Sequence, residues 1–102
     1  MIFVIADIEV TAGKRDEFLK AFHQLVPQVL AEEGCIEYGP AVDEETDIAA
    51  QVKNGSQIVT VMEKWESVDA LKAHLVAPHM TTYRQQVADL VQGTAIKILK
   101  PA

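Results

Sequence analysis

Glu63-Lys-Trp65-Glu-Ser67-Val-Asp69-Ala-Leu71-Lys-Ala-His74-Leu-Val-Ala-Pro78-His79-Met80 reads as the end of a strand, a short helix and the start of a second helix. Ser67 is a good N-cap, and Asp69 in the first turn suits the positive end of the helix dipole. That helix runs to about Val76. Pro78 then takes the first position of another helix, where its missing N–H costs nothing, reaching about Gln92. Gly93 ends it, and Thr94 to Lys100 forms a last strand.

Upstream, residues 2–10 alternate, with Ile2, Val4, Ala6, Ile8 and Val10 on one face and Phe3, Ile5, Asp7 and Glu9 on the other. Phe18, Ala21, Phe22, Leu25 and Val29 recur at helical spacing, so about 14–32 is an amphipathic helix. Pro27 should bend or break it, since it lacks a donor and crowds the carbonyl of His23. Ile36 to about Asp43 reads as a second strand. Glu44 to Gln57, with Asn54-Gly55, reads as a long and mobile hairpin connection. Ile58 to Glu66 is a third strand, rich in Val, Ile and Thr.

The order strand, helix, strand, strand, broken helix, strand predicts an α+β fold of the ferredoxin-like βαββαβ type, one domain over residues 1–102. Its helices cover one side of a four-stranded antiparallel sheet. The other side carries Phe3, Ile5, Ile58, Thr60 and Met62, which is too apolar for water. A homodimer with the two sheet faces together is therefore expected.

With 102 residues, the chain has room for one core. A net charge of -6 argues against nucleic acid, whose affinity comes largely from Lys and Arg neutralising phosphates. No polybasic run would hold an anionic membrane, and the apolar opening Met1–Ala6 is too short to be a span or signal peptide. The single Cys35 excludes an intrachain disulfide and fits a reducing cytoplasm, as a small buried hydrophobe rather than a nucleophile. No zinc, nucleotide or serine-hydrolase motif occurs.

Strand parity puts Val59, Val61, Glu63 and Trp65 on the helix-covered face. A carboxylate there must be paired or hydrogen-bonded, or its pKa rises, which suits general acid–base work as well as a structural role. His74 lies roughly 70° and His79 about 75° from the centres of their apolar stripes, at the rim between core and solvent. His23, about 120° away on its own helix, is a surface residue. A boundary His is often structural, yet a neutral imidazole near pH 7 can also exchange protons readily. Trp65 is ordinary core filling or a wall on which a ligand stacks, patterns that look alike. Tyr38 and Tyr83 are weaker pocket candidates. His74 and His79 stand five apart across Pro78, not the i, i+4 spacing of a helical ligand pair, so no metal centre is expected.

Gly13-Lys14 with Phe18, Ala31-Glu-Glu-Gly34-Cys35-Ile-Glu-Tyr38, Glu63-Lys-Trp65-Glu-Ser-Val-Asp-Ala-Leu, and Ala73-His74 followed by Pro78-His79-Met80 occur in an order that resembles the antibiotic biosynthesis monooxygenase family over nearly the whole chain. The resemblance implies a dimeric α/β barrel with a pocket in each subunit between sheet and helices. Members of that family include cofactor-independent oxygenases that turn hydroquinones or phenolic polyketides into quinones, an isomerase of a phosphorylated signalling sugar, and heme-degrading enzymes. The heme reading fits poorly: the first strand offers Ala6 and Asp7 where an Asn is needed, and His74 falls one residue early for the iron ligand.

The resulting expectation is a cofactor-free monooxygenase acting with O2 on a hydroquinone or phenolic, polyketide-type aromatic. His74, helped by Glu63, is the expected base; Trp65, His79, Tyr38 and Tyr83 are expected to contact the substrate. The alternatives are an isomerase or tautomerase of a small carbonyl signalling metabolite, and a non-catalytic binder of an aromatic ligand.

Overall fold

A computed structural model describes residues 1–102. The elements run β1 (Ile2–Val10), α1 (Arg15–Leu30), β2 (Cys35–Ala41), β3 (Ile58–Trp65), α2 (Val68–Leu75), α3 (Pro78–Gln86) and β4 (Val91–Leu99). The strands form one antiparallel sheet in the order β2-β3-β1-β4. This is the ferredoxin-like α+β arrangement read from the element order. No helix is long and apolar enough to cross a membrane.

The period-2 pattern places the core. Val4, Ala6, Ile8 and Val10 of β1 and Val59, Val61, Glu63 and Trp65 of β3 are all buried beneath the helices. Register confirms a shared face, because Val4 sits opposite Glu63, Ala6 opposite Val61 and Ile8 opposite Val59. From above, α1 presses Phe18, Phe22, Leu25 and Val29 into this layer at spacings of four, three and four. Burying each such side chain contributes about 1.5–3 kcal/mol.

Against expectation, α1 continues unbroken through Pro27, and Ala31 N–H bonds to Pro27 O at 3.2 Å. Leu25 and Val29 hold the helix on the core from either side. Pro27 and His23 both face solvent, where water can serve the freed carbonyl. As anticipated, the Ser67 hydroxyl accepts Ala70 N–H at 3.1 Å to start α2. Between α2 and α3, Ala77 is extended (φ -64°, ψ 143°), as the residue before a proline prefers, so the chain turns sharply there. Gly34, at φ +83°, takes the turn from α1 into β2. A Cβ on it would stand 2.6 Å from that of Ala70, so glycine is required on both counts.

The last third departs furthest from the reading by periodicity. Helix α3 stops at Gln86, and β4 starts at Val91 with Gly93 inside the strand opposite Glu9. Val87, Leu90 and Val91 satisfy a helical spacing, but the fold uses Val87 and Leu90 in a turn and Val91 as the first residue of β4. Leu90 N–H bonds back to Val87 O at 2.8 Å, while Leu90 O accepts Thr11 N–H at 2.8 Å. The connection between β2 and β3 is irregular as expected, but cross-braced: Asp43 Oδ2 accepts Gly55 N–H at 2.9 Å, and Gln51 Nε2 donates to Glu44 O at 2.8 Å.

Strand β4 is left uncovered. Ile96 and Ile98 share the helix side with Ala6 and Val4, yet both remain exposed. On the outer side, Met62 is 48% exposed, with Phe3, Ile5, Ile58 and Thr60 partly so. Two polar contacts interrupt that apolar surface: Thr60 Oγ1 donates to Asp7 Oδ1 at 2.6 Å, and Lys64 reaches Glu37 at 3.2 Å.

Candidate active site

Between the sheet and α2–α3 lies a cavity of about 420 Å³, bounded below by Val4, Ala6, Val61 and Ile96 and above by Leu71, Met80, Tyr83 and Val87. Such a volume falls in the range of small-molecule pockets. Of its 18 lining residues 14 are hydrophobic, so its chemistry rests on Glu63, His74, Arg84 and Thr94 together with the hydroxyls of Tyr38 and Tyr83.

Glu63 enters this cavity from the floor because β3's parity turns it upward. It is only 8% exposed. Its Oε1 accepts Trp65 Nε1–H at 2.9 Å. No fully sealed side-chain nitrogen or oxygen lacks a partner anywhere in the fold, so Oε2, which makes no hydrogen bond, keeps access to the cavity. Burial pushes the Glu63 carboxyl from an ordinary 4.5 up to about 7. The Trp65 hydrogen bond opposes that rise, and the charge of Glu32 adds to it.

His74 is 2% exposed, and lies inside rather than at the rim where the helical wheel of α2 placed it. Other elements close over it: Trp65 packs on its ring at 4.7 Å between centroids and Tyr38 meets it edge-on at 5.4 Å. Its Nδ1 is 2.8 Å from Oε2 of Glu32, a residue just beyond α1 that sequence reasoning passed over. A carboxylate only accepts, so Nδ1 carries the hydrogen and Nε2 is the bare acceptor. Like Glu63 Oε2, Nε2 has no partner in the fold and is not sealed, so it opens on the cavity. Burial lowers the His74 pKa, with the Glu32 hydrogen bond opposing, which favours the neutral ring. This is an imidazole held in one tautomer with its basic nitrogen towards an apolar space.

A legible trace of Glu32 existed. It continues the stripe Leu25, Val29 by one more step of three, so the turn after α1 carries it inward rather than into solvent.

The remaining candidates separate. Tyr38 and Tyr83 line the cavity, and burial raises both phenols, so each stays a neutral O–H donor. Trp65 is fully buried and does not reach the cavity; it lies behind Glu63 and His74, positioning both rather than walling the pocket. His79 does not line the cavity either. Its Nε2 meets Glu32 Oε2 at 2.8 Å on the outer side, beside a separate polar groove. Glu63 and His74 share one cavity but do not bond to each other. Cys35 is part-buried, and burial first, with Glu32 and Glu63 next, pushes its thiol up to about 11, which keeps it inert.

An open-faced ferredoxin-like sheet with an acid, an oriented imidazole and phenols around an apolar pocket defines a class of small α+β proteins with a pocket between sheet and helices. Within that class the chain belongs to the antibiotic biosynthesis monooxygenase family, whose model matches residues 1–86. It is 41% identical over 103 residues to the Escherichia coli K12 protein named "Probable quinol monooxygenase YgiN", covering 99% of this chain and 98% of that one. Among solved structures, a conserved protein from Methanosarcina mazei Go1 superposes with a TM-score of 0.80 at 26% identity, over 99% of this chain and 92% of that one. A Pseudomonas aeruginosa protein at 23% identity and a TM-score of 0.81, over 99% and 93% of the two chains, shares the fold. Family and relative together support a monooxygenase in general terms, acting on a small molecule.

Proposed function

We propose that this protein is a cofactor-independent monooxygenase of hydroquinones or related phenols, using O2. The observation that carries this reading is the orientation of His74, with Nδ1–H tied to Glu32 and Nε2 open to an apolar cavity. A phenol seated there loses its proton to Nε2 as the charge develops. The Tyr38 hydroxyl and a protonated Glu63 are donors for the resulting phenolate, in surroundings that hold water away. The electron-rich anion is then what reacts with O2. For a quinol, one oxygen atom enters the ring as a hydroxyquinone and the other leaves as water, all four electrons coming from the substrate. A relative named as a quinol monooxygenase supports the same substrate class.

Untagged protein freed of flavin and metal should consume O2 with simple hydroquinones while quinone absorbance grows. If these compounds raise the melting temperature but O2 uptake stays at background, the protein is a binder and the oxygenase reading falls. A second reading has its own support, since an acid titrating near 7 and a neutral imidazole in one cavity also suit a carbonyl isomerase. Solvent deuterium entering a carbonyl compound without O2 uptake would favour it.

The outer sheet face suggests that the working unit is a homodimer closed into a dimeric barrel. Its support is the exposed Met62 beside Phe3 and Ile5, a patch a second copy would cover. Sedimentation of the wild-type chain should give a dimer and Ile5→Glu a folded monomer. A monomeric wild type at micromolar concentration would rule the assembly out.

A further inference from the structure

On the side of His74 away from the cavity, three donor atoms from three separate places meet. They are Oε2 of Glu32 after α1, Nδ1 of His74 near the end of α2 and Nε2 of His79 in the first turn of α3. All three lie within 4.8 Å of one another. The sequence separation of the two His argued against a metal centre, but it assumed helical geometry. The sharp turn at Ala77 folds α3 back, so both rings point at one carboxylate.

We propose that Glu32, His74 and His79 form a binding site for a single divalent transition-metal ion of the zinc type. Two imidazoles and one carboxylate are a donor set that zinc takes with a fourth position left for water, and imidazole also suits cobalt and nickel. The site combines firmness with access. Packing of Trp65 and Tyr38 fixes the His74 ring, while the side chains of His79 and Glu32 keep 23% and 13% exposure, so an ion can enter from solvent. Bonds of about 2.0–2.1 Å at tetrahedral angles place donors roughly 3.3 Å apart. Glu32 Oε2 now stands 2.8 Å from each nitrogen, so it retreats by about half an ångström as the two nitrogens close on the ion. The part-buried His79 ring, open to solvent on one side, supplies that adjustment by rotating about its side-chain bonds.

Occupation changes His74 without any electron transfer. Three bonds to the ion replace two N–H···O hydrogen bonds. Nδ1 of His74 gives its lone pair to the cation and that ring's one proton moves to Nε2, the nitrogen that opens on the cavity, while His79 binds through Nε2 and its own proton moves to Nδ1. A proton acceptor thereby becomes a donor. This consequence rests on the reading of His74 as the base, and it makes zinc a reversible inhibitor; the metal site itself does not depend on that reading.

The test uses the untagged, chelator-treated full chain titrated with zinc sulfate alone. Calorimetry should show one ion per chain, with a melting temperature that rises with zinc and returns on adding EDTA. His79→Gln and Glu32→Gln should each weaken binding at least about tenfold, since even residues that only support a ligand are worth about 10–100-fold in metal affinity, whereas His23→Gln, on the exposed face of α1, should leave it unchanged. Cobalt(II) gives a readout on the unmutated protein, in which strong visible d–d bands of a tetrahedral site saturate at one equivalent. Absence of saturable zinc binding, binding that survives His79→Gln, or only the weak spectrum of hydrated cobalt would overturn the site. At saturating zinc, O2 uptake should fall by the factor of about 10²–10⁴ that a general base supplies. Zinc bound with O2 uptake unchanged would uphold the site and remove His74 as the base, and zinc bound to a protein that never consumes O2 would uphold the site and overturn the oxygenase.

Discussion

His74→Ala should lower kcat for hydroquinone oxidation by about 10²–10⁴, the contribution of a positioned general base, with KM changed much less. The variant should still fold. It leaves a small void beside Trp65 and Tyr38, and it takes one of two N–H donors from Glu32, a loss of about 1–3 kcal/mol. Added imidazole should restore part of the activity by filling that void with a new base. His74→Asn sharpens the test, because an amide N–H can still donate to Glu32 but offers no basic nitrogen. Near-normal stability with the same loss of rate would mark His74 as chemical rather than architectural. O2 uptake at the wild-type rate in either variant would sink the assignment.

Glu63→Gln should stabilise the protein, and by an amount that depends on pH. The folded carboxyl titrates near 7 and the unfolded one near 4.5, so between these values the folded state holds a proton that the unfolded state has lost. Stability therefore falls as pH rises through this window, and the full cost is present above about 7. At 1.36 kcal/mol per unit, the penalty is on the order of 3 kcal/mol. A Gln side chain keeps an oxygen for Trp65 Nε1–H and cannot ionise. Urea unfolding should show the variant more stable than wild type by up to that amount at pH 8, the two converging near pH 4.5. Equal stability at both pH values would mean that Glu63 is not held in the apolar environment described here. A residue that costs this much in the core is a candidate for function, because stability alone would select its removal.

Local pattern carried the reading of the sheet and failed at the chain's last third. Residues 2–10 and 58–65 divide into two faces by parity, and Lys64 on one face of the second strand marks the opposite face as the covered one, which needs no knowledge of the rest of the fold. That is why Glu63 and Trp65 could be placed on the covered side in advance. The same local logic misled at Val87, Leu90 and Val91, a short apolar run whose spacing suits a helix as well as a turn leading into a strand. Pro27 misled in the other direction: one lost backbone bond was weighed in isolation, whereas four core side chains along α1 keep the chain helical through that position.

The site divides along the same line. Residue types, strand parity and the Ser67 and Pro78 boundary signals determined, from the sequence alone, the ferredoxin-like order, the covered carboxylate and a His near the core. Only the tertiary structure decided what those groups touch. Glu32 lies in the turn after α1, His74 in α2 and His79 in α3, so no single helical wheel holds them together. The wheel of α2 describes one helix against one plane, while the burial of His74 depends on Trp65 of β3, Tyr38 of β2 and the residue after α1 closing around it. Periodicity reports which way a side chain leaves its own backbone. Its partners, its tautomer and its basicity follow from the groups that packing brings to meet it.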